Sequence, residues 1–110
     1  MASEFAMELY GSLSWWALFA RDYPLAERAA RRCLELDPAQ AWVQVNIGHA
    51  QLLRGDLKKA QAAYLPLKGQ KDNYGTAYKR ILEDNFQELE AKGITHPGMA
   101  EIRKWLAREW

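Results

Sequence analysis

Residues 44–60 read Gln44-Val45-Asn46-Ile47-Gly48-His49-Ala50-Gln51-Leu52-Leu53-Arg54-Gly55-Asp56-Leu57-Lys58-Lys59-Ala60. Residues 10–26, 34 positions earlier, read Tyr10-Gly11-Ser12-Leu13-Ser14-Trp15-Trp16-Ala17-Leu18-Phe19-Ala20-Arg21-Asp22-Tyr23-Pro24-Leu25-Ala26. At this offset Leu13 meets Ile47, Ser14 meets Gly48, Asp22 meets Asp56, Tyr23 meets Leu57 and Ala26 meets Ala60. Each copy has an apolar helical run, a polar break at Asp22 or Asp56, and a second helical run. A fixed period of this length with a helix-turn-helix in each copy marks a stacked helical repeat.

The breaks extend outward from these two. Pro24 suits the start of a helix and disfavours helical geometry just before it. Asp37-Pro38 reads as an N-cap followed by the first helical position. Gly55 suits the left-handed end of a helix and Asp56 the cap of the next. Further breaks fall at Gly69–Asn73 and at Gly93, and Thr95-His96-Pro97 opens the last segment. Six helices are thus predicted, over about 4–20, 24–36, 39–54, 57–68, 74–92 and 97–109. No segment alternates with a period of two, and the short loops predict antiparallel hairpins. Repeats are expected at about 7–40 and 41–73. Tyr74, Tyr78, Ile81, Leu82, Phe86 and Leu89 line one face of the fifth helix, opposite Lys79, Arg80, Glu83, Asp84, Glu88 and Glu90. Met99, Ile102, Trp105 and Leu106 share a side of the sixth. Gly93 follows Gly55 by 38 positions, about one helical turn out of period. Residues 74–110 are therefore expected to form a degenerate capping hairpin, because the last repeat of an array must close its core.

The chain of 110 residues suits one domain, 1–110, and is 49% apolar and 26% charged. A net charge of +1 with no basic run argues against a nucleic-acid partner. The longest apolar stretch, Leu13–Ala20, falls short of the ~20 residues that span a bilayer. Glu4 and Glu8 precede it where a signal peptide would be basic. The lone Cys33 has no partner for an internal disulfide and fits a reducing compartment, so a cytoplasmic location is expected.

The two copies resemble the tetratricopeptide repeat. The second carries Gln44-x2-Ile47-Gly48-x2-Gln51, then Gly55-Asp56-Leu57, Ala60 and Tyr64. The first carries Tyr10-x2-Leu13-Ser14-x2-Ala17, then Arg21-Asp22-Tyr23, Ala26, Ala30 and Leu34-Glu35-Leu36-Asp37-Pro38. Ser14 stands in place of the family's Gly, Gln44 and Gln51 in place of aromatics, and no Pro closes the second copy. The resemblance covers about residues 7–72. It implies an all-α fold, a right-handed stack of antiparallel helical hairpins or α-solenoid. It also implies a concave groove lined by the first helix of each repeat, and hence a protein or peptide partner. Carried over by position, the groove comprises Trp15, Leu18, Trp42, Val45, Asn46 and His49. The clamp by which some family members hold a peptide carboxylate is broken here, since Gly11 and Trp15 stand where Lys and Asn are expected.

Nothing in the sequence points to catalysis, a cofactor or a metal. Cys33 occupies the repeat position of Leu67, a packing position, and reads as a small core hydrophobe. His49 and His96 have no second ligand at helical spacing, and a metal needs converging ligands. Glu88 and Glu90 point to different sides of a helix. The expected function is thus a noncatalytic protein-interaction module. Its rivals are a scaffold that self-associates through an open repeat end exposing Phe5, Leu9, Trp16 and Phe19, a secretion-type chaperone, and a regulatory domain of a larger enzyme.

Overall fold

The computed structural model describes residues 2–110; Met1, where the expected domain begins, lies outside the described residues. Among the described residues the chain is all-helical. Its helices are α1 (Ala2–Phe19), α2 (Tyr23–Leu36), α3 (Gln44–Leu53), α4 (Leu57–Tyr64), α5 (Tyr78–Ala91) and α6 (Gly98–Glu109). Short 3-10 turns, Ala41–Val43 and Leu65–Leu67, precede α3 and follow α4.

The 34-residue correspondence is built into the backbone at both hairpin turns. Asp22 caps α2 by accepting from the Leu25 amide at 3.1 Å, and Asp56 caps α4 by accepting from the Lys59 amide at 3.1 Å. The Asp22 and Asp56 amides donate back to Ala17 and Gln51, each at 2.9 Å. The residues just before them take positive φ, Gly55 at 90° and Arg21 at 59°. A side chain tolerates that conformation with strain, so Arg21 accepts at some cost what Gly55 supplies freely. The third turn repeats the backbone bonds, without the aspartate cap, 38 residues on from the second. Gly93 has φ 77°, and the Ile94 amide donates to Leu89 at 3.0 Å.

Three predicted boundaries move, each for a local reason. Pro66 has no amide hydrogen and crowds the carbonyl four residues back, so α4 stops at Tyr64 and tightens into a 3-10 turn. Asp37 caps no helix: its carboxylate accepts from the Ala39 amide at 3.0 Å and from Gln40 Nε2 at 2.9 Å, which makes a turn. Residues 74–77 are not helical. Asp72 Oδ1 accepts from the Tyr74 and Thr76 amides, both at 2.9 Å, with Gly75 at φ 83° and a bridge between Lys71 and Ala77. The last helix starts where His96 Nδ1 accepts from the Gly98 amide at 2.9 Å.

One buried cluster draws on all six helices, with Leu18, Ala26, Leu52, Ala60, Tyr64, Leu82, Phe86, Leu89, Ile102 and Leu106 among its members. A second, of small residues, joins Ala30, Cys33, Val43, Ile47 and Ala63. α1 packs on α2, α2 on α3 and α3 on α4, while α5 packs on α6. Arg103 of α6 ties that last pair together. Its Nε donates to Glu83 at 2.9 Å, its Nη2 to Glu90 at 2.6 Å, and its guanidinium lies 5.5 Å from the Phe86 ring centre. Glu83 and Glu90 are therefore bridging groups rather than members of a merely solvated face.

Ala26 and Ala60 are fully buried at equivalent places in the two hairpins. Replacing either with Leu forces extra methyl groups into a close helix crossing, at roughly 1–3 kcal/mol each. Urea unfolding of Ala26→Leu and Ala60→Leu measures this. A neutral result at both would mean that neither crossing is tight.

Candidate functional site

A cleft of about 900 Å³ opens between the two loops that join successive hairpins. One wall is the Pro38–Trp42 turn and the opposite wall is the Gln70–Tyr74 loop. Trp15 of α1, Val45 and Asn46 of α3, and Tyr78, Ile81 and Asn85 of α5 form the floor and ends. The lining chemistry is distinctive. It carries four aromatic residues, Trp15, Trp42, Tyr74 and Tyr78, and six side-chain amides, Gln40, Gln44, Asn46, Gln70, Asn73 and Asn85. Lys71 and Asp72 are its only charges.

The walls are held in place. Trp42 Nε1 donates to Gln40 Oε1 at 3.0 Å. The Trp42 ring lies over Gly11, where a Cβ would stand 3.0 Å from it, a tight contact. Trp42 is still 37% exposed. Trp15 packs edge-on against Phe19, with ring centres 4.9 Å apart. Asn46 is buried and donates to Ser14 Oγ at 2.8 Å, and Ser14 donates to the Gly11 carbonyl at 2.6 Å. Tyr74 is 93% exposed, yet the two amide bonds to Asp72 fix its backbone at the rim.

The six residues expected to line a groove separate into two groups. Trp15, Trp42, Val45 and Asn46 all border the cleft, but Val45 and Asn46 are buried, at 2% and 3% exposure, so the two tryptophans are the accessible members of the group. Leu18 and His49 are fully buried and present no surface to a ligand. The cause for His49 is the C-terminal hairpin, which covers that side of α3. Phe86 of α5 stands 5.4 Å from the imidazole, ring centre to ring centre. His49 Nδ1 is 2.7 Å from Tyr64 Oη and Nε2 is 3.0 Å from Asn85 Oδ1. Asn85 Oδ1 only accepts, so Nε2 carries the hydrogen and Nδ1 accepts from the tyrosine hydroxyl. Burial then holds the imidazole neutral, with its pKa pushed down to about 4. Burial likewise raises the Tyr64 hydroxyl well above its usual value.

Sequence reasoning missed Gln40, Gln70, Tyr74 and Asn85. The helical spacing places Tyr74 on the fifth helix, although Gly75 beside it and Asp72 before it are turn-forming residues. Asn85 gave no signal, because its place depends on how α5 lies across α3.

Cys33 lies in the small-residue cluster, fully buried. Burial, and secondarily the Asp37 charge, pushes its thiol pKa up, the opposite of what a nucleophile needs. No group of three or more His, Cys, Asp or Glu side chains among the described residues is placed to hold a metal. Among the described residues no helix is long and apolar enough to cross a membrane.

Comparison with protein-family models, with curated proteins and with solved structures finds no match.

Proposed function

We propose that this chain is a noncatalytic interaction module whose hairpins stack in the manner of tetratricopeptide repeats and whose cleft takes an extended, largely uncharged peptide segment. The lining of the cleft carries this reading. Aromatic faces offer contact area at low entropic cost. Gln40, Asn46 and Asn85 are engaged within the chain, and the side-chain amides of Gln44, Gln70 and Asn73 both donate and accept, matching the alternating groups of an extended backbone. With only Lys71 and Asp72 as charges, recognition rests on burial and neutral hydrogen bonds. The stacking reading draws support from the cap and turn geometry repeated at a 34-residue spacing.

The test is selection of peptides from a random displayed library on the wild-type chain, followed by measured affinities for two variants. Trp42→Ala and Tyr74→Ala are each expected to weaken the selected peptide at least about tenfold, the scale of a hot-spot truncation. Tyr74 is so exposed that its loss leaves folding intact, which separates binding from stability. Glu88→Ala, on the exposed side of α5, should change nothing, and salt should matter little. Unchanged affinity in both aromatic variants, or binding that collapses at high salt, would move the site away from this cleft.

A further inference from the structure

The outer face of α1 carries Phe5, Leu9, Leu13 and Trp16, which are 64%, 54%, 38% and 63% exposed. At this spacing they form one continuous stripe along the helix. The positions 34 residues after Leu9, Leu13 and Trp16 are Val43, Ile47 and Ala50, and all three are buried. Val43 and Ile47 pack there with Ala30 and Cys33 of α2. In the second hairpin, then, this same helical face is a packing face with a hairpin lying on it. In the first hairpin it is open.

We propose that a second copy of this chain covers the stripe, pairing α1 with α1 about a two-fold axis to give a closed dimer. The side-chain sizes argue against a hairpin like α2 as the occupant. α2 packs over the compact side chains of Val43 and Ile47 in the second hairpin, whereas Phe5 and Trp16 protrude and need recesses. A recess adjoins the stripe at Leu13, a depression of about 420 Å³ lined by Tyr10, Leu13, Leu25 and Ala29 together with Arg28, Arg31, Arg32 and Glu35, of which Arg31 pairs with Glu27 and Arg32 with Glu35. One face thus presents both the projections and a recess to receive them, as an isologous contact requires. An antiparallel pairing sets Phe5 opposite Trp16 and Leu9 opposite Leu13, so the stripe is its own complement.

Head-to-tail stacking fails on charge. The last helix, α6, exposes Glu101, Lys104, Arg108 and Glu109. Glu101 and Lys104 pair at 3.6 Å, and apolar cover would strip that pair, Arg108 and Glu109 of water. The area is also of the right order. Aromatic side chains bury about 150–250 Å² each, so the exposed parts of the four residues amount to roughly 400 Å². A standard interface covers about 800 Å² per partner, so the stripe provides about half of it, and the dimer must draw the rest from the adjoining surface of α1 and α2.

Sedimentation of the full chain across the micromolar range tests the proposal. The wild type should pass from monomer to dimer and stop there. Leu9→Glu and Trp16→Glu should each weaken dimerisation at least tenfold with an unchanged far-UV spectrum. Ser12→Cys, at an exposed position near the two-fold axis, should form an interchain disulfide on mild oxidation, while the wild type with its buried Cys33 should not. This variant reads the pairing without removing a contact, so it holds even if a glutamate variant fails to fold. Trp42→Ala should leave the dimer intact, which separates this face from the peptide cleft. A wild type that stays monomeric, a dimer that survives both glutamate substitutions, or growth beyond two copies would overturn the proposal. So would a dimer lost with Trp42→Ala and kept with Trp16→Glu.

Discussion

Gly48→Ala is expected to destabilise the chain by about 2 kcal/mol or more, although alanine favours a helix over glycine by about 1 kcal/mol. A Cβ at Gly48 would overlap the ring of Tyr64. That ring is fully buried and held by His49, so it has little room to retreat. The first hairpin supplies the control. Ser14 occupies the equivalent position and does carry a Cβ, because Ala30 stands where the second hairpin has Tyr64. Shortening the ring should therefore change the sign of the effect. Tyr64→Leu alone loses packing and leaves His49 Nδ1 without its donor, but adding Gly48→Ala to it should be neutral or stabilising. Urea unfolding of the two single variants and the double variant gives the coupling directly. Equal costs for Gly48→Ala in both backgrounds would show that the ring is not what excludes the methyl group.

Acidification should remove roughly 3 kcal/mol of stability through His49 alone, most of it between pH 6.5 and pH 4. The sign follows from the direction of the shift. The unfolded chain binds a proton at His49 with an ordinary pKa near 6.5, and the folded chain does so only near 4. Between these values the unfolded state holds more protons, so folding stability falls as pH falls. Below about 4 both states are protonated and the loss from this group levels off. Protonation would put a second hydrogen on Nδ1, facing a hydroxyl that donates to it in the neutral state. Unfolding at pH 7 and pH 4.5 measures the effect when wild type is compared with His49→Gln. The variant should be less stable at pH 7 and should lose less on acidification. Carboxylates held down by hydrogen bonds, such as Glu90 beside Arg103 and Asp37 beside Gln40, lose stability at lower pH in both proteins and cancel in the comparison. Parallel pH profiles would show that His49 takes up its proton in the folded state without penalty.

The sequence by itself determined the number and order of the helices and the turns at Asp22, Asp56 and Gly93. Each turn is made by hydrogen bonds between residues three to five apart, so the residue types at the turn suffice to specify it. The same holds for the burial of Ala26, Ala60 and Cys33, which follows from the repeat register. Tertiary structure alone decided which of the expected groove residues reach the surface. Trp15 and Trp42 do so because they border the cleft between the Pro38–Trp42 turn and the Gln70–Tyr74 loop. His49 does not, because Phe86 and Asn85, more than thirty residues later, close over it. The Gln70–Tyr74 wall of the cleft arises where the spacing slips from 34 to 38 residues, and its direction depends on how the last hairpin docks. Docking of that kind balances burial of many small contacts against loop entropy, and no short stretch of sequence records it.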